Sequence, residues 1–443
     1  MLDALRDIPY VSVQNLTVKT LEPDPRASKK WTAATLPLLV LLCALARPHI
    51  ASAQGVIAPA PSTPASQSGQ GDVTIATPNT ATLESAVAAF QAPPPIEVGP
   101  LTLLPHFLYR FVYGNGIQSQ PGRPTTTAIN SLSPGVLMEY GTHWTLDYTP
   151  TWNIYSNKVF RDTVDESANL VGATNYSDGI LRFTETYTHT SEPLVETGMQ
   201  TAETSYVTTF EVTHRYNGDL AMDLGLSQNS RYTQGFPNSK EWSILDWLRY
   251  KVTQRLDAAL GVALGYVATS DNINEFYIQP QVQVSLRATD KITLAATAGY
   301  ENRRIYGTSG ASFNNPIYNA SIQYQPVKQT TFVLTAGQEL DVAYFQNQTT
   351  RTTQWDAKIE QRLLARYYLT ADLGEDKVDY LSSLSNLGAG RNDREFSFNI
   401  RLSTTIFERE TLALFWQKSR NSSSVNTYAF SSSQVGFELG YRY

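Results

Sequence analysis

The sequence predicts an all-β chain, a transmembrane antiparallel up-and-down β-barrel of about 18 strands with 16 as the competing count. Three observations carry that expectation. Segments of about nine to fourteen residues alternate apolar with polar side chains, which is how a strand wet on one face reads. The connections between them alternate between minimal and long polar, as periplasmic turns and outer loops do. The last thirteen residues, Ser431 to Tyr443, alternate without a fault and stop on an aromatic.

Residues 1–53 read as an N-terminal extension and a signal peptide. Lys29 and Lys30 precede an apolar run, Trp31 to Ala46, that suits a signal-peptide core and is short for a membrane span. Ala51-Ser-Ala53 supplies a small-residue cleavage site, so the exported chain begins near Gln54. Residues 1–28 are long for a leader, and no Met between Met1 and Lys29 offers a later start. Cys43 is the one cysteine, and Leu42 stands where a lipoprotein signal needs a small residue. Cleavage removes Cys43, which excludes disulfides, thiol catalysis and thiolate metal sites. Six of the 34 basic and four of the 40 acidic residues fall in 1–53, leaving 28 against 36 and a formal −8. With no basic patch, nucleic acid is excluded as a partner.

Residues 54–100 form a Pro/Ala/Ser/Thr-rich tract that buries little apolar surface and is expected to be disordered. Ala81 to Phe90 could form a short helix, stopped by Pro93-Pro-Pro95.

The barrel is expected over 101–443. Its strands are placed at 102–113, 127–140, 142–155, 164–176, 180–190, 203–216, 219–230, 241–253, 256–267, 273–287, 291–302, 315–325, 329–339, 351–363, 365–373, 394–406, 409–420 and 431–443. Trp144, Leu146, Tyr148, Trp152 and Ile154 alternate with Thr145, Asp147, Thr149, Thr151 and Asn153; Phe396, Phe398, Ile400 and Leu402 alternate with Glu395, Ser397, Asn399 and Arg401. The stretches 164–176 and 241–253 alternate poorly, which is why sixteen competes. Long loops are expected at 114–126, 231–240, 303–314, 340–350, 374–393 and 421–430; Asp379 to Asn386 reads first as a plain surface loop, with an inward-folded constriction as the alternative. Tyr113, Tyr140, Trp144, Tyr266, Tyr300, Tyr324, Trp416 and Tyr443 fall near strand ends, where aromatic girdles sit.

Backbone groups in lipid must all be paired, so the sheet must close and its polar face must point inward. That phase makes Glu211, Arg215, Asp223, Arg287, Asp356, Lys358, Glu360, Arg362, Glu395, Arg401, Glu438 and Arg442 candidate pore-lining residues. They line a pore with a transverse field or brace a filled wall as salt bridges. His106, His143, His189 and His214 show no zinc spacing, and His214 shares the lipid phase of Phe210 and Val212. No serine elbow or phosphate loop is present, so no catalytic residue, cofactor or metal is expected, and the protein is not read as an enzyme.

The run Phe437-Glu-Leu-Gly-Tyr-Arg-Tyr443, with the strand pattern and leader, resembles the porin-like outer-membrane β-barrels of Gram-negative bacteria. The resemblance covers about 102–443 and is one of pattern; only the terminal motif is specific. It implies passive diffusion of small hydrophilic solutes, outer-membrane lipid and lipopolysaccharide as surroundings, possible homotrimers, and recognition of Phe437, Tyr441 and Tyr443 by the barrel-assembly machinery. A closed structural or adhesive barrel, and an outer-membrane component of an exopolysaccharide or protein export system, stay open beside it.

Overall fold

The computed structural model describes residues 96–443 except 272–273, 307–311, 344–347, 365, 383–389, 407–408 and 443. The leader, Cys43, the 81–90 segment and most of the 54–100 tract therefore lie outside the described residues, as does Tyr443.

Eighteen long strands follow one another: β1 (Leu101–Gln120), β2 (Arg123–Tyr140), β3 (Trp144–Tyr155), β4 (Thr163–Tyr176), β5 (Gly179–Thr190), β6 (Glu203–Arg215), β7 (Leu220–Thr233), β8 (Ser239–Lys251) and β9 (Leu256–Thr269). The second half is β10 (Asn274–Thr289), β11 (Ile292–Tyr306), β12 (Ser312–Val327), β13 (Thr330–Val342), β14 (Gln348–Leu363), β15 (Tyr367–Ser382), β16 (Asn392–Thr405), β17 (Glu410–Ser423) and β18 (Phe430–Arg442). Each pairs antiparallel with its sequence neighbours. β1 also pairs antiparallel with β18, from His106↔Arg442 to Asn115↔Ser433, and that ladder closes the barrel. Below His106 the edge of β1 would lie bare. The short strand Ile96–Val98 covers it, pairing with Leu101 to Leu103. The tail of the Pro/Ala/Ser/Thr tract is thus ordered against the rim.

All eighteen expected strands are present, including the two that alternate poorly, so the sixteen-strand alternative falls. The poor alternation of β8 has a local cause: Trp247 lies on the inward phase opposite Asp223 and Gly261, while Asp246 lies on the outward phase opposite Leu224 and Val262. Trp247 is buried flat over Gly261, and Tyr277 lies in the same way over Gly265. A Cβ at either glycine would collide with the ring, so glycine is what lets an aromatic lie flat on the lumen wall. The inward face is accordingly less polar than alternation suggests.

The outward phase is exposed and apolar: Leu260 is 65% exposed, Leu414 55% and Val282 49%. No water-soluble monomer presents such a continuous band; lipid is its solvent. The band is bounded by two aromatic belts, Tyr140, Tyr216, Tyr250, Tyr324 and Tyr367 at the end with short turns, and Tyr113, Trp152, Tyr206, Trp242, Tyr266, Tyr300 and Trp416 towards the other. Short turns mark the periplasmic end.

The outer connections differ from expectation. Strands outrun the apolar band, so β1 and β2 meet across residues 121–122 where a 114–126 loop was expected, and β15 continues to Ser382 where a 374–393 loop was expected. The expected 231–240, 303–314, 340–350 and 421–430 loops shrink for the same reason. Backbone groups beyond the membrane still pair more cheaply with each other than they remain ordered without partners.

Candidate functional site

The twelve predicted pore-lining residues all fall on the inward phase of their strands, opposite the exposed apolar rows. The register groups them. At mid-depth β1, β16 and β18 bring Glu438 between two guanidiniums: Arg401 Nη2 lies 2.9 Å from its Oε2, and Arg110 Nε 3.5 Å from its Oε1. Arg110 also stacks over the Phe415 ring at 4.7 Å. The sequence reading omitted Arg110, although it shares a phase with no apolar belt residue and its neighbours Tyr109 and Phe111 point outward with Phe437.

On β14 and β15, Lys358 binds Glu360 at 2.8 Å, Asp356 stands beside them, and Asp372 accepts a hydrogen bond from Asn399 at 3.3 Å. On the far side Asp223 pairs with Arg249 at 2.7 Å and accepts a hydrogen bond from Thr213 at 2.7 Å. Arg362 ends the β14 ladder near the periplasmic turn, and Glu395 is buried high on β16. Arg215, Arg287 and Arg442 stand exposed at the periplasmic end, and Glu211 is half-buried above Arg215. The ladder is therefore braced in the middle and wet below.

Two further elements occupy the lumen. The first is the β5–β6 connection, residues 191–202, whose Pro193–Leu194 and Met199–Gln200 form a small ribbon. It leaves the wall at Ser191, whose N–H donates to Asp165 at 2.9 Å. Gln200 exchanges hydrogen bonds with the backbone of Arg161. Thr197 and Thr201 are buried and bonded to each other at 2.9 Å. Its tip crosses to the opposite wall, where Arg391 donates to the Glu196 carbonyl at 2.9 Å. Arg391 is itself clamped between the Tyr380 and Tyr428 rings, at 4.5 and 3.6 Å, and paired with Asp393 at 2.5 Å. At the base of this segment Glu192 comes near Arg110. Burial pushes its carboxyl up to about 7, nearby Asp165 pushes the same way, and Arg110 pulls it down.

The second element is the outer end of the β13–β14 hairpin, which leans over the mouth. Arg231 of β7 donates to the Val342 carbonyl at 2.8 Å, and Arg303 of β11 to that of Leu340 at 3.1 Å. Thr349 donates to Glu275 of β10 at 3.2 Å. Arg303 is held in turn by Glu275 at 2.7 Å and Glu301 at 2.5 Å. A fixed guanidinium with both carboxylates in place suits a clamp on backbone carbonyls.

These features describe one arrangement: a closed wall, apolar outside, with charged ladders inside and two segments drawn across the passage. It is the architecture of a porin-like outer-membrane barrel. Solved structures with a similar fold include Pseudomonas aeruginosa OccK2 (OpdF) in complex with glucuronate, at 11% identity over 77% of this chain and 98% of that one, with a TM-score of 0.44. The P. aeruginosa outer membrane protein OpdK is 14% identical over 77% and 98%, TM-score 0.41, and Acinetobacter baumannii OccAB3 8% over 77% and 99%, TM-score 0.41. No family model matches the sequence, and no curated protein matches it. Likeness of this degree carries no solute and no residue role to this chain.

Of the 379–386 stretch, read from the sequence as a surface loop with an inward fold as the alternative, Asp379 lies on the outward phase of β15, held by Arg351 at 2.6 Å and Lys377 at 3.5 Å, and 383–386 fall outside the described residues. The segment that turns inward is 191–202. Its mark in the sequence is modest: Leu194, Val195 and Met199 make it more apolar than an outer loop needs, and Gly198 supplies a left-handed turn at φ 68°.

The histidines serve the wall. His106 pairs with Asp147 at 3.1 Å, His143 bonds the Ala173 carbonyl and His189 bonds Thr204. His214 stands outward between the Tyr176 and Tyr216 rings, as its phase implied. Among the described residues no group of three or more His, Cys, Asp or Glu is placed to hold a metal.

Proposed function

We propose that the protein is a passive channel for small hydrophilic solutes, with a weak preference for cationic or neutral ones. One observation carries the reading: at the depth where the 191–202 segment narrows the lumen, Arg110 and Arg401 with Glu438 face Asp165 and Glu192. Opposed charges across a narrow polar passage orient a dipolar solute and exclude apolar ones. The expected bias is cationic because the exported chain carries a formal −8 and inward acids include Asp223, Asp257, Asp356, Glu360, Asp372 and Glu395. It is weak because Lys358, Arg362, Arg401 and Arg442 share their phase. In this reading the charges at that constriction orient the solute, and the ladder on β14 adds to the cationic bias.

Planar-bilayer recording of refolded 54–443 tests the proposal. Discrete conductance steps are expected, with a KCl-gradient reversal potential on the cation side that shifts towards zero in Asp356→Asn/Glu360→Gln. Absence of conductance, or strong anion selectivity, would refute it.

A further inference from the structure

The outside of the barrel carries a basic pocket that the channel reading does not use. It lies where β15, β16 and β17 leave the apolar band at their outer ends. The outward phase there runs Leu373, Glu375 and Lys377 on β15, and Phe398, Phe396 and Arg394 on β16. On β17 it runs Leu414, Trp416, Lys418 and Arg420. Phe398 faces Lys418 and Phe396 faces Arg420 across the β16–β17 ladder. Glu375, Arg394, Phe396, Lys418, Arg420 and Ser422 line a pocket of about 390 Å³.

Arg394 is paired with Glu375 at 2.8 Å. Lys418 and Arg420 are different: both are exposed, and among the described residues neither has a hydrogen bond, ion pair or ring contact. Two neighbouring cations without a counter-ion repel each other, and the protein is net acidic. Their height is informative. Immediately below them stand Phe398, Ile400, Leu414 and Trp416, members of the lipid-facing band. The cations therefore sit at the level of lipid headgroups on the side facing away from the periplasm.

We propose that this pocket binds a phosphate group of an outer-leaflet glycolipid, with the phosphate between Lys418 and Arg420 and the acyl chains along Phe396, Phe398 and Trp416. The vertical order of the pocket, cations above aromatic and aliphatic side chains, is the order of such a molecule. Guanidinium and ammonium groups bind phosphate strongly at a membrane surface. Free phosphate would use the cations and leave the apolar half empty. A second copy of this chain would have to supply an acidic outward patch. Its outward acids form no such patch: Glu166 is taken by the hydroxyls of Tyr148 and Tyr187, Glu185 by Thr208 and Asp379 by Arg351 and Lys377, and Asp246 lies deeper, within the apolar row of Leu224 and Val262.

The test uses the folded protein purified in a non-ionic detergent and does not depend on conductance, so it stands or falls apart from the channel proposal. Native mass spectrometry and calorimetry would follow binding of bisphosphorylated lipid A, the same lipid without phosphates, and inorganic phosphate. The bisphosphorylated lipid is expected to bind at least tenfold more tightly than its dephosphorylated form. Lys418→Ser/Arg420→Ser should lose that tenfold, and Lys240→Ser, an outward cation on β8, should keep it. Equal affinity for the two lipids overturns the proposal on the unaltered protein alone, even if the double variant misfolds. Saturation by inorganic phosphate below 1 mM would mean a free-anion site instead. Dimers dissolved by the double variant would mean a subunit contact.

Discussion

Arginine placed on the lipid-facing surface should cost different amounts at two positions of equal depth, because only one has an acid beside it. Val262 on β9 and Ala296 on β11 each stand four residues from an outer-belt tyrosine, Tyr266 and Tyr300. Ala296 lies between Val284 and Ala320, so an arginine there meets only hydrocarbon. The expected cost is about 2–4 kcal/mol for a midplane position. Val262 lies directly opposite Asp246 on the outward phase of β8. Val262→Arg places a guanidinium within reach of that carboxyl in a medium of low dielectric, where an ion pair is worth more than in water. Its cost should fall below that of Ala296→Arg by about 1 kcal/mol or more, and adding Asp246→Asn should abolish that difference. The inward control Thr297→Arg projects into a wet lumen and should cost less than about 1 kcal/mol. Reversible denaturant titrations in phospholipid vesicles, read by tryptophan fluorescence, give all four values. Equal costs for Val262→Arg and Ala296→Arg would refute the outward assignment of Asp246. Equal costs for Ala296→Arg and Thr297→Arg would refute the phase assignment of β11 itself.

Four further outcomes are expected. Removing Tyr443, or replacing Phe437 and Tyr441 by Ser, should leave the protein undelivered in the periplasm, as fractionation and heat-dependent gel mobility would show; normal outer-membrane levels count against an assembly role for this motif. Glu192, neutral below about pH 7 and anionic above it, should make the channel more cation-selective as pH rises from 6 to 8, and Glu192→Gln should flatten that response. A carboxyl raised in the fold binds its proton more tightly there than in the unfolded chain, so stability should decline as pH rises between about 4.5 and 7, by at most about 3 kcal/mol, and the same variant should remove that slope in denaturant titrations. Arg391→Ala removes the bond to the Glu196 carbonyl and should raise single-channel conductance with added gating noise; an unchanged trace would mean the 191–202 segment is held without it.

The strands were legible because lipid and water impose opposite demands on alternate residues. Phe396, Phe398, Ile400 and Leu402 admit only one phase, and that phase also assigns Arg401 inward. Where the demand relaxes, the pattern blurs: on β8 a glycine on the neighbouring strand makes room for Trp247 inside, and Asp246 stands outside. Strand ends were misjudged where chain beyond the band pairs without any apolar signal, as from Asn115 to Gln120. The lumen phase was readable, but which charges meet was not. Arg110 meets Glu438 and Arg401 only across the closing β1–β18 seam, and Glu192 reaches them through a segment held by Arg391, some two hundred positions away.

The β1–β18 seam has a kinetic consequence. Every other ladder joins strands adjacent in sequence and forms as a hairpin does. At the seam Ser432 donates to the carbonyl of Asn115, 317 residues distant, so this ladder closes the longest loop in the molecule. The entropy of bringing such distant ends together grows only slowly with length, yet it must be met before any hydrogen bond of that ladder contributes. Zipping of the two terminal strands is therefore expected as the slow, final step of maturation. The short strand Ile96–Val98 then acts as a latch on the part of β1 that β18 does not reach.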